Sequence, residues 1–300
     1  MNENTLTIQI GDVCCAIRCL DQDILQYLRT LYRKFLCDTA PDIYVELEIT
    51  DTVVPGMVTN EEENAALFHG DGVFSDSHNL VSGEYNLFSG TVRVRAERLL
   101  LTHNNQGYYL NQFICKLYYS AHKIRKLDSI PAFIMHSSAV IYHNAGLLFT
   151  GPSGAGKTTI ADILGSSDES TVIINDEGNL VSRTIDGKRA NIRGIPIKGK
   201  LAENNNVTSS LDCILLLKQS NRTAFHSLDK TYAFKKLLRQ VVGNLYFGND
   251  NPKSIYSSLA GFSEYLVKNI PCYELEFTLD TGQLNSTLKS LLLILTESGG

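Results

Sequence analysis

Eight consecutive residues carry a readable chemistry. Gly151-Pro152-Ser153-Gly154-Ala155-Gly156-Lys157-Thr158 has the spacing GxxxxGK[ST] and follows directly on an apolar run, Gly146-Leu147-Leu148-Phe149-Thr150. Glycines let a backbone curl until successive N–H groups converge, and a helix starting there adds its positive N-terminal end. Such a nest suits an anion. On this spacing Gly151, Ser153, Gly154, Ala155, Gly156, Lys157, Thr158 and Thr159 are expected to bind the phosphates of ATP, Lys157 reaching the β and γ phosphates and Thr158 offering its hydroxyl to Mg²⁺. Ile160, Ala161, Ile163 and Leu164 then recur at helical spacing, which is the context the motif requires.

A second group lies downstream. Asp176 stands 19 residues after Lys157, at the end of the β-branched run Thr171 to Asn175, and Glu177 follows it. An acidic residue at the end of a strand beside the phosphate loop can hold Mg²⁺ directly or through water, so Thr158, Asp176 and Glu177 are the candidate metal ligands. The spacing also excludes rivals. Transporter ATPases of the ABC type carry their Asp-Glu far downstream, after an LSGGQ-like signature, and small GTPases need an NKxD motif; the chain has neither.

His136-Ser137-Ser138-Ala139-Val140, GPSGAGKTT, Ile174-Asn175-Asp176-Glu177 and Asn191-Ile192-Arg193-Gly194-Ile195 occur in one order and spacing. In this the chain resembles HPr kinase/phosphorylase and its relatives, P-loop serine kinases whose catalytic core is shared with phosphoenolpyruvate carboxykinases. The resemblance covers about residues 130 to 280. It implies catalytic roles for four residues. Asp176 would orient or deprotonate the acceptor hydroxyl, His136 and Arg193 would face the transferred phosphoryl group, and Lys157 would bind it. Three positions depart from the family pattern: Asn191 replaces the usual glutamate, Glu177 replaces a second aspartate, and GPSGAGKTT replaces G-D-S-G-x-G-K-S. They point away from HPr as substrate and from the reverse phosphorylase reaction. They point toward the divergent branch often labelled carboxykinase-like, some of whose members phosphorylate serine in peptides made for modification, including lasso-peptide precursors.

The implied activity is thus transfer of the γ-phosphoryl of ATP to a hydroxyl, most simply serine of a peptide or small protein. Two alternatives stay open: a nucleotide-binding regulatory protein without transfer activity, which Asn191 favours, and a small-molecule hydroxyl kinase of the same fold. Arg183, Lys188, Arg189, Arg193, Lys198 and Lys200 place six cations in eighteen residues against the single acid Asp186. Such a stretch reads equally as a solvated hairpin or as a receiver for an acidic substrate.

These residues need elements to hold them. Thr5 to Ile10 and Cys14 to Cys19 read as strands joined at Gly11-Asp12, followed by a helix capped by Asp21 and carrying Ile24, Leu25, Leu28, Leu31, Tyr32 and Phe35. Asp42 to Thr50 alternates as a half-buried strand, and Leu80 to Tyr85 and Thr91 to Ala96 are strand-like between glycines at 70, 72, 83 and 90. Residues 1–105 are therefore expected as a small α+β domain, with acceptor recognition its expected task and Glu61-Glu62-Glu63 a solvated loop. Residues 106–300 are expected as the α/β catalytic domain. It opens with a helix from Gln106 to Leu127, stopped by Pro131, and a buried strand from Phe133 to Tyr142. A hairpin then runs through Leu180 to Ile185 and Arg189 to Ile195 about Asp186-Gly187. Further strands are expected at Cys213 to Leu217 and Cys272 to Leu279, and helices at Thr231 to Phe247, Lys253 to Lys268 and Gln283 to Thr296.

Composition bounds the partners. With 300 residues, 43% hydrophobic content and a net charge of −5, the chain suits one or two globular domains and lacks the basic surplus of a nucleic-acid binder. No apolar run reaches the roughly 18 to 20 residues of a membrane span, and the N-terminus lacks a secretory pattern. A cytoplasmic protein is expected, with neither nucleic acid nor membrane as partner and a homo-oligomer left open. The seven cysteines form no CxxC pair, which argues against a zinc site or a disulfide scaffold, and Cys14, Cys15 and Cys19 are expected as small apolar fillers.

Overall fold

A computed structural model of the chain describes residues 3–51, 67–68, 73–75, 81–86, 89–98, 114–115, 117–119, 121–122, 132–201, 204–240 and 252–298. Contacts divide the chain into two units, Met1–Ile130 with Asn244–Ile255, and Pro131–Gly243 with Tyr256–Gly300. The Glu61-Glu62-Glu63 run, Gly70, Gly72, Pro131, most of the stretch 106–127 and the end of the stretch 231–247 lie outside the described residues.

In the first unit, alternating apolar residues build a mixed sheet. Its strands are β1 (Thr5–Ile10), β2 (Val13–Cys19), β3 (Ile43–Thr50), β4 (Leu67–Phe68), β5 (Val73–Ser75), β6 (Val81–Asn86) and β7 (Thr91–Glu97), in the order β1-β2-β3-β7-β6-β5-β4. Gly11, at φ 61°, takes the left-handed turn between β1 and β2 that a side chain would resist. Helix α1 (Gln22–Leu31) carries the parallel crossover from β2 to β3. The Asp21 carboxylate accepts a hydrogen bond from Ile24 N at 3.0 Å, and Ile24, Leu25 and Leu28 are buried. Across the sheet, Arg18, Glu46, Arg93 and Glu84 fall in register on successive strands, a row of alternating charge that keeps this face wet.

The second unit is a nine-stranded sheet. Its strands are β8 (Ala132–Tyr142), β9 (Ala145–Thr150), β10 (Val172–Asn175), β11 (Gly178–Arg183), β12 (Ala190–Gly194), β13 (Thr208–Ser210), β14 (Cys213–Gln219), β15 (Ala224–Ser227) and β16 (Cys272–Phe277). They run in the order β13-β12-β11-β8-β9-β14-β16-β15, with β10 on β8. β14 is parallel to β9 and β16, and the other pairs are antiparallel. Helices α2 (Lys157–Ser167), α3 (Lys230–Leu238), α4 (Pro252–Asn269) and α5 (Thr281–Ser298) complete it. Helices α2 and α5 bury Ile160, Ala161, Leu164, Leu284, Leu288 and Leu291 in one cluster with Val140, Leu147, Phe149, Leu215 and Leu275. Each Leu, Ile, Val or Phe among them contributes roughly 1.5–3 kcal/mol by leaving water. On the other face Phe262 of α4 packs on Phe133, ring centroids 4.8 Å apart.

The mixed α/β architecture agrees with the sequence reading. β8 decides where chemistry can sit. Its first half pairs with β11, through Gly178↔His136, and its second half pairs with β10, through Asn175↔Ala139, on the same edge. The two-residue gap between β10 and β11 is Asp176-Glu177. Its opposite edge carries β9, which ends at Thr150 opposite Ser137, so the acidic pair and the glycine loop flank one strand. Among the described residues no helix is long and apolar enough to cross a membrane.

Candidate functional site

The glycine loop leaves β9 and turns through Gly154 at φ 77° and Gly156 at φ 100°. Its turn is closed by Ala155 N donating to Pro152 O at 3.1 Å and by Gln219 Nε2, from the end of β14, donating to Gly154 O at 2.9 Å. Gly156 is required twice over. Besides its φ, a Cβ there would stand 2.5 Å from Phe277 Cζ. It also caps α2 without a side-chain acceptor. The N–H groups of Lys157, Thr158 and Thr159 therefore begin the helix with no intrahelical partner, at its positive end.

Lys157 is only 7% exposed. Its ammonium donates to Gly151 O at 2.9 Å and Pro152 O at 3.1 Å, and among the described residues no carboxylate stands within ion-pair distance. Burial pushes its proton affinity down, while the charge of Glu177 opposes that shift. Among the described residues no carboxylate pairs directly with this cation, and Glu177 acts on it only through space.

The acidic turn is built on Asn175. Fully buried, it uses both ends of its amide: Nδ2 donates to Ile195 O at 3.1 Å and Ile197 O at 2.8 Å, and Oδ1 accepts from Glu177 N at 2.8 Å and Gly178 N at 3.1 Å. One side chain thereby fixes the Asp176-Glu177 corner and the segment after β12. Asn175→Ala removes four hydrogen bonds, of whose backbone partners Ile195 O alone keeps another, from Ile197 N, and should lower the unfolding free energy by about 3 kcal/mol, measured by urea titration. An unchanged midpoint and slope would show that these bonds are replaced without loss.

Asp176 is 1% exposed. Its Oδ2 accepts from Lys200 N at 3.0 Å and Leu201 N at 3.2 Å, while Oδ1 is buried and among the described residues has no hydrogen-bond partner. Gly199 makes this approach possible, because a Cβ there would lie 1.9 Å from Asp176 Oδ1. Burial pushes the Asp176 carboxyl above its ordinary range, with the two N–H groups pulling the other way. The backbone is tied to its neighbours as well: Asp176 O accepts from Ser138 Oγ at 3.1 Å and from Thr158 Oγ1 at 3.5 Å, which joins α2, β8 and the acidic corner.

His136 faces Glu177. Its Nδ1 lies 3.1 Å from Glu177 O and 3.3 Å from Glu177 Oε1, and since both are acceptors the proton belongs on Nδ1, which leaves Nε2 for another group. Thr158, Asp176, Glu177, His136 and Lys157 are thus gathered around the start of α2. Arg193 stands farther off. Cross-strand pairing of Leu180 with Arg193 and of Gly178 with His136 puts both side chains on the α2 face of the sheet, about 12 Å apart at Cα by strand spacing and rise. The Arg193 guanidinium donates to Asn206 Oδ1 through Nε at 3.3 Å and Nη2 at 3.1 Å. Asn191, two residues along the same strand, shares that face one step further from the acidic corner.

The six cations of residues 183–200 do not form one patch. Arg183 lies on the opposite face, over the rings of Tyr265 at 4.5 Å and Phe262 at 5.7 Å, and donates to Gly261 O at 3.2 Å. Sequence pattern did not single out Asn175, Gly199, Gln219, Asn206 or Phe277. Asn175, a polar residue closing a β-branched run before two acids, was the one with a local signal, that of a side chain bonding backbone two and three residues on.

No protein-family model and no curated protein sequence matches the chain. Among solved structures it is similar to the Hpr(Ser) kinase/phosphatase from Coxiella burnetii, at 9% identity over 54% of this chain and 98% of that one, with a TM-score of 0.33. The relationship is distant and structural only.

Proposed function

We propose that the chain binds ATP with Mg²⁺ and transfers the γ-phosphoryl group to a hydroxyl, serine of a peptide or small protein being the acceptor class. The observation that carries this reading is the Lys157 ammonium, buried at the uncapped start of α2 with two carbonyls and, among the described residues, no carboxylate within ion-pair distance. A buried charge is costly unless something of opposite sign completes it. Phosphate is the anion that fits a glycine nest, a helix N-terminus and a lysine together.

The metal fits the same residues. Asp176 Oδ1 is a buried acceptor without a partner, next to the Thr158 hydroxyl, so these two would hold Mg²⁺ directly or through water, with Glu177 at the rim. When bound, the metal supplies charge neutralisation at the phosphate oxygens. The protein's own groups divide the rest. Asp176, beside the start of α2, would orient the acceptor hydroxyl or take its proton. His136, oriented through Nδ1 by Glu177, and Arg193 face the phosphoryl group. In this reading residues 106–300 are catalytic, residues 1–105 recognise the acceptor, and the protein works in the cytoplasm without nucleic acid or membrane.

One observation favours a second reading. Asp176 Oδ2 is taken up by two backbone N–H groups of the segment after β12, and Asn191 offers no carboxylate. A protein that holds ATP to set the position of that segment, without transfer, would look the same. Incubation with γ-labelled ATP, Mg²⁺ and a panel of serine-bearing peptides and small alcohols separates the two. Label on an acceptor hydroxyl supports transfer; tight ATP binding with every acceptor unlabelled supports the regulatory reading.

A further inference from the structure

Cys14 and Cys37 are 23 residues apart in the chain, yet their sulfurs lie 3.7 Å from each other. Cys14 belongs to β2 and is buried. Cys37 follows the short 3-10 turn Arg33–Phe35 and is partly exposed. The segment between that turn and β3 is pinned at both ends. Leu36 bridges Ile8, and Cys37 N donates to Thr7 O at 3.0 Å; at the other end Asp42 N donates to Cys14 O at 2.7 Å, and Cys14 N donates to Asp42 Oδ2 at 2.7 Å. Residues 38–40 between these pins are exposed and outside any helix or strand. The backbone thus holds the two thiols in van der Waals contact, with free chain beside Cys37 to absorb the further approach to a bond of about 2.05 Å.

We propose that Cys14 and Cys37 are a modification site, a dithiol that closes to an intramolecular disulfide when the chain meets a peroxide. The Cys37 sulfur attacks one peroxide oxygen, breaking the O–O bond and becoming a sulfenic acid as water leaves. The Cys14 sulfur then displaces the hydroxyl from Cys37, which leaves as a second water. Two thiols and one hydrogen peroxide give one disulfide and two waters, with two electrons passing from sulfur to oxygen. The order follows from access. Cys37 is the exposed partner, and burial together with its neighbour pushes the Cys14 thiol up to about 11. Cys14 is therefore more than the apolar filler its place in a buried strand suggests.

The test uses the full chain, reduced, freed of reductant and treated with a few equivalents of hydrogen peroxide. The expected product has lost two of its seven thiols, is lighter by about 2 Da, shows residues 14 and 37 cross-linked in a peptide map, and reverts with dithiothreitol. Closing this loop should also raise the melting temperature of the first unit by about 5 °C or more, because the cross-link removes freedom from the unfolded chain. Cys37→Ser, at a partly exposed position, should retain the fold and form no internal cross-link, so the proposal stays testable even where Cys14→Ser fails to fold. A cross-link mapped to any other pair overturns it. So does a wild-type chain that keeps all its thiols or gains oxygen on one cysteine in place of the bond.

Discussion

Lys157→Met should lower ATP affinity by at least about 100-fold and the proposed phosphoryl transfer by about 1000-fold, while the ligand-free protein should melt within a few degrees of wild type. The two halves of this expectation have one cause. In the free protein the ammonium is buried against Gly151 O and Pro152 O, and burial lowers its proton affinity. Its charge is therefore a cost at neutral pH, one that eases as pH rises toward the ordinary lysine value of 10.5, since the unfolded chain binds the proton more tightly. Methionine fills similar volume without the charge, so little stability is lost when it is introduced. With phosphate present the balance reverses, because the ammonium then completes an anion held by the helix N-terminus and the glycine loop. The readout is thermal shift against ATP concentration. A ligand at 100 times its dissociation constant stabilises by about 2.7 kcal/mol, and this rise should vanish in the variant at the same concentration. A variant that keeps the full ATP-dependent shift would remove the phosphate role of Lys157.

Much of the scaffold was legible because it rests on local pattern. In β3, alternation puts Ile43, Val45, Leu47 and Ile49 on one face; the first three are buried and Ile49, near the strand's end, is half-buried. Asp21 caps α1 as its type suggests, and of the expected stripe of α2 Ile160, Ala161 and Leu164 are buried and Ile163 partly so. β13 and β15 were not legible. Thr208–Ser210 and Ala224–Ser227 are short and largely polar, so neither alternation nor an apolar run marks them; they form by completing the edges of a sheet whose other strands already exist. Helix α3 starts at Lys230, where Asp229 accepts from Thr231 N and Tyr232 N, one residue before the periodicity alone suggests.

The site divides along the same line. The glycine loop and the acid after β10 could be found by motif and spacing, because loop, helix start and strand end are contiguous in sequence. What surrounds them could not. Asn175 bonds to Ile195 and Ile197, twenty and more residues away, and Gly199 is needed only because Asp176 folds against it. The basic stretch from Arg183 to Lys200 misleads for the converse reason: charges adjacent in sequence alternate across a strand, and Arg183 goes to the α4 face while Arg193 goes to the α2 face.

Asp176→Asn separates binding from chemistry and tests the central proposal most directly. The amide keeps the shape of the carboxylate, and its oxygen can still accept from Lys200 N and Leu201 N. It cannot take a proton. Transfer should fall by about 1000-fold, the range over which a positioned base acts, while the thermal shift with ATP measured without Mg²⁺ remains. Stability supplies an independent check with a definite sign. Burial raises the folded-state proton affinity of Asp176 above the ordinary carboxylate value of 3.8. The native chain therefore binds more protons than the unfolded chain from that value up to the folded one. The contribution is fully present below pH 3.8 and is lost as pH rises through the folded value. Asparagine has no such term. Relative to the variant, wild type should lose stability from pH 4 to neutrality, until Asp176→Asn is at least as stable as wild type. Urea midpoints across that range measure it. A variant that loses ATP binding together with transfer would make Asp176 a support of the phosphate site, and one that transfers at the wild-type rate would exclude it as the base.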